Sequence, residues 1–349
     1  MSEISYVYIS QDAAKTISVF RLESAKATLQ PVQDMFVDGK AMPMAINRKR
    51  KSGKQLRLYV ALRNEPYSFG NLEIDSQTGR LTLLGKTLAL ESAVYTSIDQ
   101  SGRYLLCACN LANPARRSGL LTINPIDEDG IILSAGNKIR TPPKMHSVIV
   151  DPHNQYLFAA SCDGDLILRY RFDQTDGSIS ADGLAPVIVM PKSGPRHMRF
   201  HPTGQFFYIV NEYDASIVSY RYLAHSGALL ELGTYQAAPS EFKGENARAA
   251  ELQITRNGRF LYASVRETNT IAAMRIDHQT GQLTLIGHYP TAKEPRGFAI
   301  DPSGQFIVAA GALSQTVILF RINQTNGALE KCTEYPIGEG ANWVEIIDL

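Results

Sequence analysis

Five side chains of the types that handle anions stand at matching places in successive copies of a repeated segment: His146, Arg196, Glu212, Arg266 and Arg296. His146, Arg196 and Arg296 each lie five residues before a turn residue, Asp151, His201 and Asp301. Glu212 and Arg266 each lie eleven residues after one, His201 and Thr255. Other copies carry bland residues at the first place: Met42, Val94, Ala250 and, in the C-terminal tail, Trp343. The second place holds Asn110, Cys162 and Ala312 elsewhere. An imidazole or a carboxylate can take a proton from water. Ordered guanidinium groups grip a carboxylate or phosphate with two prongs and stabilise a developing oxyanion. Lys144, two residues before His146, adds a positive charge, and His197 adds a second imidazole. No Ser-His-Asp arrangement and no metal-ligand spacing is legible, so neither a covalent intermediate, a metal nor another cofactor is expected.

The repeat that aligns these residues also sets the architecture. One marker is the residue opening the first hairpin turn: Asn47, Asp99, Asp151, His201, Thr255 and Asp301. A second is the glycine after the third strand: Gly79, Gly130, Gly177, Gly227, Gly281 and Gly327. Both recur about every 50 residues, and each unit carries four short alternating strand signals separated by turn residues. Four strands per unit, repeated, is the pattern of a propeller blade. Six copies span about residues 41–340, and the two ends supply a seventh. Residues 1–40 read as three strands, and the tail from Trp343 to Leu349 resembles the missing one. The expectation is an all-β, seven-bladed propeller of four-stranded blades, one domain over residues 1–349. Its ring would be closed by pairing Val344–Asp348 with Tyr6–Ser10, which removes exposed sheet edges. The first strand of each blade lines the central channel, so the five residues should meet at one channel opening. Two insertions interrupt the pattern. A basic turn covers Arg48–Lys54, and Asn110–Ser118 is placed to form a rim over the site.

Composition narrows the partners. There are 35 Lys+Arg against 34 Asp+Glu, a formal net charge of +1, with 44% hydrophobic and 20% charged residues. That balance excludes recognition of nucleic acid through overall charge. No apolar run of about 18 residues exists, so no membrane-spanning helix is expected. The N-terminus lacks a basic flank and a long apolar stretch, so it does not read as a secretory signal. The four cysteines, Cys107, Cys109, Cys162 and Cys332, are expected as reduced thiols, and the location as cytoplasmic.

The strings MHSVIVDP, GPRHMRFHP, IVNEYDASI and EPRGFAIDPSGQFIVAAG resemble the seven-bladed propeller lactonase family. The resemblance runs along essentially the whole chain. It implies a carbohydrate-metabolism hydrolase of the 6-phosphogluconolactonase type, from the pentose phosphate pathway. The family also includes fungal carboxymuconate-lactonizing enzymes. By resemblance, His146, Arg196, Glu212 and Arg266 would be catalytic, while Arg296, His197 and Lys144 would bind substrate. The partner implied is a small anionic lactone or sugar acid. Departures fall at Lys144-Met145, Ser161 and Asn110, around the pocket rim. Three readings therefore stand: water attack on a sugar-acid lactone, assisted by His146 or Glu212; a muconate-type cycloisomerase using the same residues; and a propeller that binds a small anion or a protein without catalysis.

Overall fold

A computed structural model describes residues 4–49, 55–110, 118–134, 136–181 and 183–349. Among the described residues there is no helix, and the strands form seven antiparallel sheets. Blades 1 to 6 span 41–88, 92–141, 145–188, 195–236, 249–290 and 295–336 in chain order. The outer strand of blade 3 is split into two short pieces, Ile179–Ser180 and Val187–Ile188, both paired with Leu166–Phe172. Blade 7 takes its innermost strand, Ala341–Asp348, from the C-terminus and its other three from the N-terminus. Tyr6 pairs with Ile347 and Ile9 with Val344, so the two segments expected to close the ring do pair, one residue out of end-to-end alignment. The inner strands touch in the order of blades 1 to 7 and back to 1, so the ring closes.

Burial along each blade explains the sequence pattern. Second strands such as Phe206–Asn211 are buried throughout, because a neighbouring blade covers each face. Outer strands such as Leu329–Pro336 alternate between covered and open positions, since only one face meets a neighbour. Of the two insertions, Arg48 is visible and is tied down. Its Nη2 donates to the Ile346 carbonyl at 2.9 Å and lies 3.7 Å from Glu345 Oε2. The rest of that turn from residue 50, and the rim segment 111–117, lie outside the described residues.

The glycine marker has a packing reason. A tyrosine on the second strand of one blade donates its hydroxyl to the carbonyl of the marker glycine in the next. The pairs are Tyr8–Gly79 at 2.9 Å, Tyr59–Gly130 at 2.9 Å, Tyr208–Gly281 at 3.0 Å and Tyr262–Gly327 at 2.8 Å. Gly281 sits at φ +74°, and a Cβ there would run into the Phe206 ring. Left-handed backbone costs a residue with a Cβ roughly 1–2 kcal/mol before any clash. Gly281→Ala is therefore expected to destabilise the protein by more than about 2 kcal/mol in urea unfolding. Tyr208→Phe, which removes one buried hydrogen bond, should cost about 1 kcal/mol. A smaller loss for the glycine change than for the tyrosine change would show that the ring contact is slack.

Candidate functional site at the hub mouth

The site residues are aimed by a defect repeated in every blade. Each inner strand carries a register shift against its neighbour at the channel-lining position. The unpaired residue is His146 in blade 3, Arg196 in blade 4 and Arg296 in blade 6. A bulge leaves one residue out of the ladder and turns its side chain, here toward the hub. In blade 7 that residue is Asn342, between Ala341 and Trp343. Counting from Asp348 assigned the place to Trp343, one residue too far, because Ile347, and not Asp348, holds the place that the turn residues hold in the other blades.

The second register follows the second strand of each blade. Its members donate their backbone N–H to a carbonyl at the entry of the inner strand: Cys162 to Lys144 at 2.9 Å, Glu212 to Gly194 at 2.6 Å, Arg266 to Arg248 at 3.3 Å and Ala312 to Glu294 at 3.0 Å. Arg63 donates to Lys40 at 3.0 Å in the same way, so it is the blade 1 member. Sequence counting missed it because the basic turn between the first two strands lengthens the interval from Asn47. Aligning blade 1 on the strand after that turn would have found it.

The two registers meet on one carboxylate. Glu212 Oε2 lies 3.0 Å from Arg196 Nε and 3.4 Å from His146 Nε2. Glu212 Oε1 lies 3.3 Å from Arg266 Nη2 and 3.5 Å from Lys144 Nζ. His146, Arg196, Glu212 and Arg266 are all buried. The catalytic set expected from sequence thus converges, from blades 3, 4 and 5. Arg196 Nη1 also donates to the Ala250 carbonyl at 2.6 Å, and Arg266 Nε to that of Arg248 at 2.7 Å. Each guanidinium is thereby fixed at two nitrogens, with Arg196 Nη2 and Arg266 Nη1 left over.

Lys144 belongs to the wall of the site. Its Nζ donates to Tyr213 Oη at 2.7 Å and lies 3.7 Å from Asp163 Oδ1, and Tyr213 donates in turn to Asp163. Sequence counting had no signal for Tyr213 or Asp163, which lie outside both registers. His197 stands one residue deeper than Arg196. Its Nδ1 is 3.0 Å from Glu251 Oε2, and Glu251 Oε1 receives Arg199 Nη2 at 3.0 Å. The rings of Tyr95, His197 and Trp343, from blades 2, 4 and 7, pack together with centroids 5.0 to 5.8 Å apart. They form a floor beneath Arg196 and Arg296. His197 Nε2 has no partner and lines a small cavity with Arg196, Arg296, Met42 and Trp343. Arg296 joins the cluster electrostatically, and among the described residues it has no hydrogen-bond or ion-pair partner.

Electrostatics differ sharply among these groups. Burial, reinforced by Arg196, holds His146 well below the ordinary histidine range despite the pull of Glu212, so the imidazole is neutral at pH 7. Burial by itself would push Glu212 up. Arg196, His146, Arg266 and Lys144 outweigh it and leave the carboxyl well below the usual carboxylate range. Burial, and then the Arg196 charge, lower Arg266 to about 10 and Arg296 to about 9. Both cations are short of negative charge. Burial pushes the Cys162 thiol up to about 12, so it faces Glu212 as a neutral group. One nitrogen of His146, the Cys162 sulfur and a Glu212 oxygen come within 4.8 Å of one another, close enough for a metal ion. A cation placed there would stand against Arg196, Arg266 and Lys144. The surroundings favour an anion.

Comparison with known proteins bears on the family and the fold. A family profile described as "Lactonase, 7-bladed beta-propeller" matches residues 5–346. A protein of Pectobacterium carotovorum subsp. carotovorum named 6-phosphogluconolactonase is 33% identical over 343 residues, covering 98% of each chain. One of the same name from Yersinia pestis is 33% identical over 342 residues, covering 97% of each. Among solved structures, the periplasmic gluconolactonase PpgL of Pseudomonas aeruginosa superposes with a TM-score of 0.87 at 23% identity, covering 99% of each chain. A structure described as a putative 6-phosphogluconolactonase of Bacteroides fragilis reaches 0.85 at 22% identity, also covering 99% of each. The wheel of seven blades, the bulged residues at its hub and the match along nearly the whole sequence lead to one statement: this chain belongs to the seven-bladed β-propeller lactonase family.

Proposed function

We propose that the hub mouth hydrolyses the lactone of a sugar acid, most closely 6-phosphogluconolactone, by direct attack of water. The observation that carries this reading is the shared carboxylate of Glu212, which fixes Arg196, Arg266 and Lys144 beside a neutral imidazole. The names of the relatives at 33% identity support the substrate class.

The roles follow from protonation. Glu212 is a poor base, because three cations stabilise its charge. His146 is neutral and, with Nε2 turned to Glu212, keeps Nδ1 without a partner. In this reading Nδ1 takes the proton as water oxygen bonds to the lactone carbonyl carbon. Arg196 Nη2 and Arg266 Nη1 face the carbonyl oxygen as it gains charge. A donor so placed is typically worth about 3–4 kcal/mol. The ring C–O bond then breaks, and the proton on His146 passes to the departing alkoxide, giving the hydroxy acid. The cytoplasm is part of the same reading, supported by four free cysteines.

His146→Gln is expected to lower kcat/KM on 6-phosphogluconolactone about 100-fold or more, about 2.7 kcal/mol. Its melting temperature should hold, since His146 makes a single polar contact. Full activity in this variant would pass the role of base to Glu212. Consumption of a muconate without lactone opening would make the protein a cycloisomerase. A base must be neutral to act, and the His146 pKa is lowered. The acid limb of the wild-type kcat/KM profile should therefore lie below pH 6.5, with a plateau from there to neutrality. Glu212→Gln leaves buried cations without their counter-charge, and should destabilise the fold by about 3–5 kcal/mol in denaturant titration. A loss under about 1 kcal/mol, roughly the value of an exposed pair, would mean the carboxylate is not the anchor.

A further inference from the structure

Arg63 and Arg296 are two cations at the hub mouth that form no ion pair with Glu212. Arg63 stands on blade 1 and Arg296 on blade 6, flanking blade 7, which brings Asn342 and Trp343 to the hub between them. In a ring of seven, blades 7 and 1 lie across the axis from blade 4, which carries Glu212. Arg63 is half-buried and positioned by neutral groups. Its Nε donates to Ser92 Oγ at 2.7 Å, and its Nη1 lies 3.0 Å from Met42 Sδ. Met42 lines the same small cavity as Arg296, Arg196 and Trp343. Among the described residues Arg296 has no hydrogen-bond or ion-pair partner, and the charge of Arg63 is among those that bear on it. Asp12 acts on Arg63 electrostatically without pairing with it. Among the described residues, no carboxylate comes within ion-pairing distance of either guanidinium.

Like charges that are held close at a partly buried site are unfavourable unless an anion joins them. The catalytic cluster cannot supply one, because its carboxylate is already shared by three cations. The missing charge must come with the ligand. Two guanidinium groups match the charge of a phosphate monoester, close to −2 at neutral pH, better than the single charge of a carboxylate.

We propose that Arg63 and Arg296 form a second anion subsite, across the hub mouth from Glu212, which takes a phosphate ester remote from the lactone carbonyl. Arg63 is thus a specificity-determining residue, and the substrate spans the mouth from one wall to the other. The subsite takes its substrate from the lactonase reading above, but its anion can be tested without turnover.

The test compares wild type with Arg63→Gln on 6-phosphogluconolactone and on glucono-δ-lactone. The wild type should prefer the phosphorylated substrate. The ratio of the two kcat/KM values should fall about tenfold in the variant, chiefly through KM. A fall of threefold or more supports the subsite, and a smaller one, or no preference in the wild type, overturns it. If Arg63→Gln does not fold, Arg63→Lys replaces it under the same criterion, since lysine keeps the charge and loses the fork. The second readout is the melting temperature in inorganic phosphate against sodium chloride of equal ionic strength. Phosphate should stabilise the wild type and lose that effect in the variant. No phosphate shift in the wild type overturns the subsite. If the wild type opens neither lactone and the shift is still lost in the variant, the subsite stands and the lactonase reading falls.

Discussion

One carboxylate holds the working end of this molecule together. Glu212 is the common partner of Arg196, Arg266, Lys144 and His146, which arrive from three blades. Without it, the hub would confine several cations at short range with little water to screen them. With it, each guanidinium is turned so that some nitrogens face the protein and others face the opening. The same interaction sorts the two groups able to accept a proton. It drains basicity from the carboxylate and leaves the imbalance of charge to be met by whatever enters.

Precision at that point depends on the rest of the wheel. The ring fixes which inner strands are neighbours, and the bulge in each decides which residue leaves the ladder and turns inward. The tyrosine-to-glycine hydrogen bonds lock one blade to the next, far from the hub. Beneath the site, His197, Glu251, Arg199 and Tyr95 form a second buried polar layer, with Arg199 Nη1 donating to Tyr95 Oη at 2.6 Å. That layer faces inward and gives Arg196 and Arg296 a firm base.

Much of this was legible in the sequence, because a propeller writes the same instruction repeatedly. The turn residues and the marker glycines keep step, so the blades, the closure of the ring and the meeting of His146, Arg196, Glu212 and Arg266 could be read by counting. Counting fails where a blade breaks step. Arg63 was hidden because the basic turn displaces it from the register its backbone hydrogen bond shows it to occupy. Asn342 was passed over for Trp343 because the C-terminal strand runs on without a turn residue, and Asp348 lies one place beyond the position the markers hold. His197 was expected beside the ligand; alternation along the strand turns its Nδ1 to Glu251, while its ring lines the small cavity with Arg196 and Arg296. Tyr213 and Asp163 reach Lys144 through loop geometry, which a strand register does not describe.

The aromatic floor has a consequence for traffic. Rings from three blades that are not neighbours pack against one another across the hub. In the proposed reading, the chamber above that floor is a cup with one doorway rather than a tunnel. Each product molecule must back out the way its precursor came in before the next can be admitted, so departure and arrival compete for the same gate.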